Sequence, residues 1–107
     1  MDTKGIGMDF LVRIDTSAIL ALPDAEREDL VAREQARGRE LYAQGILRML
    51  WRLPAEQGNV GIWSAADADE LADALRSLPV WPLAKMTVTA LATHPLMAAL
   101  ADAKSAH

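Results

Sequence analysis

The sequence predicts an α+β domain in which strand, helix, strand, strand, helix and strand follow one another. Three observations carry that order. Residues 8–15 and 85–91 alternate apolar and polar side chains, the period of a half-buried strand. Residues 23–45 and 67–78 repeat apolar side chains at helical spacing behind an acidic start. Between these helices, residues 54–58 break two short strand-like runs into a hairpin. A chain of 107 residues suits one such domain, since a single core commonly spans about 100–200 residues.

Phe10, Val12 and Ile14 share one face of the first strand, with Asp9, Arg13 and Asp15 on the other. Pro23 suits a first helical turn, because its φ is already helical and its missing N–H needs no partner there. Asp24, Glu26, Glu28 and Asp29 follow, favourable at the positive end of a helix dipole. Leu30, Val31, Glu34, Gly38, Leu41 and Tyr42 form the stripe that should meet the sheet, and Gly45 is the expected left-handed cap.

In the second strand, residues 46–53, the alternation puts Leu47, Met49, Trp51 and Leu53 on one face and Arg48 and Arg52 on the other. Residues 59–64 are its hairpin partner. Asp67 opens the second helix, whose stripe is Leu71, Ala74, Leu75 and Leu78, and Pro79 stops it. Beyond Trp81 and Pro82 comes the last strand. The whole is the split-βαβ, ferredoxin-like arrangement of four antiparallel strands with both helices on one face. Its second sheet face is bare. With three tryptophans in or beside strands, that face predicts pairing with a second copy, a dimeric α/β-barrel-like assembly. Residues 1–7 read as a disordered leader, 8–96 as the domain, and 97–107 as a tail, either a short helix or frayed.

Composition removes several classes of function. Fifteen acidic against eleven basic residues give a net charge of −4, unsuited to non-specific nucleic-acid binding. No run reaches the roughly 18 apolar residues of a membrane span. Cysteine is absent, which excludes disulfides, thiolate metal sites and cysteine nucleophiles and fits a cytoplasmic protein. Two histidines, His94 and His107, cannot build a multi-histidine metal site in one chain. There is no phosphate loop, dinucleotide fingerprint or hydrolase elbow. Any enzymatic activity is therefore expected to need no cofactor and to proceed by proton transfer.

Glu34 is the residue singled out for that chemistry. It lies on the stripe facing the sheet, where desolvation would raise its pKa toward that of a general base, and Gly38 leaves room one turn later. The alternative is a buried salt bridge with Arg48 or Arg52. Either arginine would suit an anionic substrate, a solvated strand face or a dimer contact. Trp51 and Trp63 read as pocket walls or as packing, and His94 as a structural hydrogen-bonding residue or a ligand contact.

Residues 48–52 (R-M-L-W-R), 78–82 (L-P-V-W-P) and the pair His94-Pro95 resemble the muconolactone Δ-isomerase family, which carries R-H-L-W-R, L-P-L-F-P and H-P in that order. Glu34, Gly45 and Asn59 match its spacing, and the resemblance covers about residues 8–96. It implies a ferredoxin-like fold in intertwined dimers within larger rings, such as a decamer. It implies a cofactor-independent isomerase that moves the double bond of a butenolide carrying an acetate arm, in aromatic degradation. On this resemblance Glu34 is the base, Arg52 a catalytic partner, and Arg48, Met49, Trp51, Asn59, Trp81, Leu83 and His94 contact the substrate. Asn59 would donate to the lactone carbonyl.

The sequence departs from the family at Met49 (His), Leu83 (Tyr), Lys85 (Asp) and Val60 (Tyr). Loss of polar groups at Met49 and Leu83 predicts a greasier pocket. Three readings follow: an isomerase of a muconolactone-like lactone, a secondary-metabolism isomerase or cyclase on a larger polyketide-like substrate, and a non-catalytic ligand-binding module.

Overall fold

The computed structural model describes residues 7–105; the leader expected over residues 1–7 lies outside them except for Gly7, as does His107. Four strands, β1 (Met8–Asp15), β2 (Leu47–Arg52), β3 (Gly58–Ala65) and β4 (Lys85–Leu91), form one antiparallel sheet in the order β2-β3-β1-β4. Helices α1 (Asp24–Ala43) and α2 (Ala68–Arg76) follow β1 and β3, and α3 (Pro95–Ser105) follows β4. The predicted βαββαβ order is the one observed, and the tail after β4 is helical.

β1 is central because its alternation serves two neighbours at once. Phe10, Val12 and Ile14 are buried beneath the helices, while Arg13 faces outward and forms a 2.7 Å ion pair with Glu56 of the β2–β3 turn. The core continues through Trp63 of β3, Leu30 and Leu41 of α1, and Leu71, Ala74 and Leu75 of α2, joined by Leu78 and Val80. Of the stripe expected on α1, Leu30 and Leu41 are buried, Val31, Glu34 and Gly38 are half-buried and Tyr42 is 67% exposed, whereas the stripe expected on α2 is buried throughout.

Chain punctuation is local. Pro23 stands just before α1 rather than in its first turn, with ψ at 149°. Its extended backbone makes it the entry to the helix. At the other end Gly45 has φ 78°, and the N–H groups of Gly45 and Ile46 bond to the carbonyls of Tyr42 and Leu41. These two bonds are the paired C-terminal closure that a left-handed glycine permits. Asp67 caps α2 by accepting the Glu70 N–H at 2.8 Å, and the Glu70 carboxylate accepts the Ala66 N–H.

β2 departs from simple alternation. Leu47 pairs with Trp63, yet Met49 pairs with Ile62, so Arg48 is an extra residue in a bulge. A one-residue slip exchanges the faces of everything that follows. Leu50 and Arg52, opposite Gly61 and Asn59, thus share the helix-covered side with Leu47. Met49 and Trp51, opposite Ile62 and Val60, face away. The bulge corrects the expected grouping of Leu47 with Met49 and Trp51 and the separation of Arg52 from Leu47, while Arg52 does face away from Met49 and Trp51 as expected.

No described helix is long and apolar enough to cross a membrane. The radius of gyration is 16.4 Å, above the roughly 13 Å of a compact chain this long, and the described residues from 87 to 104 are all exposed.

Asp67→Ala should cost about 1 kcal/mol by removing the α2 cap, whereas Asp67→Asn should be near neutral. Urea unfolding followed by far-UV circular dichroism checks both.

Candidate functional site

A cavity of about 550 Å³ opens between α1 and the β2–β3 side of the sheet. Its sheet wall is Ile14, Leu47, Leu50, Asn59 and Trp63; its helix wall is Glu34, Gln35, Gly38, Arg39 and Tyr42, with Leu78 closing one end. Periodicity explains the helix wall. Positions 34 and 38 are one turn apart, and 35, 39 and 42 form the adjacent row. At Gly38 an added Cβ would meet nothing within 4 Å, so the absent side chain is part of the empty space.

Glu34 is half-buried on this wall. It makes no ion pair among the described residues, so neither Arg48 nor Arg52 neutralises it. Its Oε1 accepts one hydrogen bond, from the Val80 N–H at 3.1 Å. Desolvation pushes its pKa above the ordinary carboxylate value, and the Val80 N–H offsets only part of that rise. A carboxylate so placed is a stronger base than one in water and has a free oxygen for a proton.

Two polar groups on the sheet wall lack partners. Asn59 Oδ1 and Trp63 Nε1 are buried and hydrogen-bond to nothing among the described residues. They stand two pairs apart on the same face of β3, on either side of Gly61. The arrangement can accept a proton at Glu34 and meet polar atoms of a ligand at the floor, inside otherwise apolar walls.

Of the residues expected at the site, the cavity brings together Glu34 and Asn59. Arg52 lies opposite Asn59 on the same sheet side but is exposed and does not line the cavity. Arg48 occupies the bulge and is exposed. Met49 and Trp51 face the bare side of the sheet, and Trp81 begins a 3₁₀ turn at 40% exposure. Leu83 packs against the core. His94 accepts the Leu96 N–H on Nδ1, while its carbonyl accepts the N–H groups of Met97 and Ala98, so it caps α3. None of these last six lines the cavity. Gln35 and Arg39 were not anticipated, because their row reads as solvent-facing and only its adjacency to Glu34 and Gly38 could have flagged it; Tyr42, expected on the stripe that meets the sheet, lines the cavity while largely exposed.

Comparison with known proteins gives a consistent picture. The family model described as Muconolactone delta-isomerase matches residues 8–96. The Muconolactone Delta-isomerase of Cupriavidus pinatubonensis is 38% identical over 86 residues, covering 80% of this chain and 94% of that protein. That of Acinetobacter baylyi is 33% identical, covering 80% and 90%. A crystal structure of muconolactone isomerase at 3.3 Å superposes with a TM-score of 0.76 at 27% identity, covering 82% of this chain and 92% of the other.

Because the folded state holds the Glu34 proton more tightly than the unfolded chain does, stability falls as pH rises from the ordinary value of 4.5 through the raised folded value. Glu34→Gln should therefore raise the neutral-pH Tm, with the gain fading below pH 4.5. Thermal scans of both proteins against pH test this; an equal gain at every pH would contradict it.

Proposed function

The chain belongs to the muconolactone Delta-isomerase family, and on that premise we propose that it moves the double bond of an unsaturated γ-lactone with Glu34 as the single base. The observation that carries this reading is the Glu34 carboxylate, desolvated and without a cation, on the wall of an apolar cavity.

The chemistry asks little more. In an α,β-unsaturated γ-lactone, the γ C–H is acidified because its electrons can pass through the double bond to the carbonyl oxygen. Glu34 takes that proton, the C–H pair becomes a new ring double bond, and the old one shifts to leave a dienolate. The same carboxyl group then returns the proton to the α carbon and the carbonyl reforms. Atoms and charge balance with no co-reactant, and a raised pKa makes the base better matched to a weak carbon acid. Asn59 meets the lactone carbonyl. Arg39, at the mouth and without an ion-pair partner among the described residues, receives the acetate arm, with Arg52 next nearest. The departures at Met49 and Leu83 lie outside this cavity, so within the protomer they give no reason for a larger, polyketide-like substrate. A purely structural Glu34 would need the salt bridge it does not make.

The assembly belongs to the same proposal. Leu11, Val60, Ile62, Met49 and Trp51 line the bare sheet face, and a homodimer through it would bury this apolar surface.

Purified protein should convert muconolactone to the enol-lactone. Glu34→Gln should lower kcat by about 10²–10⁴-fold, and the kcat/KM profile should fall on the acid side above the ordinary carboxylate range. Unchanged turnover in the variant would overturn the assignment. Arg39→Gln should raise KM about tenfold with little effect on kcat, as expected for a charged contact that is the same in ground and transition states. Trp51→Glu should shift the mass measured by light scattering to that of the monomer.

A further inference from the structure

We infer that the indole N–H of Trp63 is a specificity-determining hydrogen-bond donor to the substrate's lactone oxygen, an inference that rests on the isomerase reading above. Trp63 is 2% exposed, yet its Nε1 has no acceptor among the described residues. Buried indole N–H groups nearly always have one, and an orphan donor is retained where something else supplies the acceptor. Trp63 lines the cavity, the side from which a bound ligand can bring an acceptor.

The surroundings say where that acceptor sits. Gly61 is between Trp63 and Asn59 on the same sheet face. A Cβ built on Gly61 would stand 2.5 Å from the Met49 carbonyl oxygen, 3.0 Å from Leu50 Cδ1 and 3.5 Å from Trp63 Nε1; the indole N–H does not hydrogen-bond to that carbonyl. The indole N–H thus borders backbone that carries no side chain, beside a leucine methyl. Leu50 is half-exposed and lines the same cavity, so its side chain can rotate away when a ligand enters. An oxygen that replaces the methyl accepts from Trp63 and lies beside the unpaired Asn59 amide, which presents its N–H₂ if turned about its last torsion.

The oxygen that fits this role is the lactone carbonyl. During isomerisation it gains negative charge as the dienolate forms, and a preorganised donor in an apolar site then acts more strongly on the transition state than on the substrate. Glu34 stands across the cavity on α1, so base and donor address the ring from opposite walls. The acetate arm is left pointing to the mouth.

Two measurements on the full chain decide the matter. In the first, Trp63→Phe keeps an aromatic ring but removes the N–H; kcat for muconolactone should fall about 10–100-fold with KM changed less than about threefold. A role in packing alone would leave kcat in place. Wild-type kcat in Trp63→Phe, with turnover abolished in Glu34→Gln, would overturn the Trp63 contact and leave the isomerase standing. The second measurement needs no turnover. The indole ¹H–¹⁵N resonances of the wild type are followed as the saturated γ-lactone bearing an acetate arm is added. One of the three should move downfield, and it should be the one missing from Trp63→Phe or, if that variant does not fold, the one left in Trp51→Phe/Trp81→Phe. If muconolactone is not turned over at all, the isomerase reading fails, and this shift alone upholds the contact; an unmoved Trp63 resonance overturns it.

Discussion

One extra residue in β2 decides what the two faces of the sheet present. With Arg48 bulged between Leu47 and Met49, the ladder to β3 resumes one step out of phase. Leu50 comes under α1 and Trp51 leaves it. The cavity needs this. Strict alternation would place Met49 and Trp51 over Gly61 and Asn59, filling the space that Leu50 now only borders. The same slip supplies the outer face with a methionine and a tryptophan. Cavity and bare face are two results of one backbone irregularity.

Glu34 is held in place at the end of its helix and at its own carboxylate. The Gly45 closure fixes where α1 stops and where β2 begins, and thereby the height of Glu34 over the sheet. The Val80 N–H fixes the carboxylate itself. That bond comes from the segment after α2, so both helices position the base although only one carries it. A single neutral donor steadies the group without cancelling the desolvation that makes it basic, whereas an arginine there would have lowered its pKa and weakened it as a base.

Much of this was legible in the sequence, and the limits are physical. β1 and β4 are readable to the residue from their two-fold alternation, although only β1 buries one of its faces and β4 is exposed along nearly all its length. Glu34 stood out because a carboxylate on an apolar stripe breaks the pattern that folding favours. The faces of β2 were misread, since a bulge with no glycine or proline leaves no mark on composition. Gln35 and Arg39 were missed for a related reason: polar residues beside a helix stripe look the same whether they face water or a cavity. Trp63 was read as a pocket wall or as packing. Only coordinates could show that its nitrogen has no partner.

The helix after β4 carries a last consequence. Leu96, Met97 and Leu100 are each more than half exposed, and no described side chain of α3 is buried. Eleven residues are marginal as a helix in water without a surface to lie on. The amide protons of this segment should then exchange with solvent almost as in a free peptide whenever those side chains face water, and slow sharply when they are covered. Exchange at α3 is accordingly a local gauge of whether those side chains are covered, readable residue by residue.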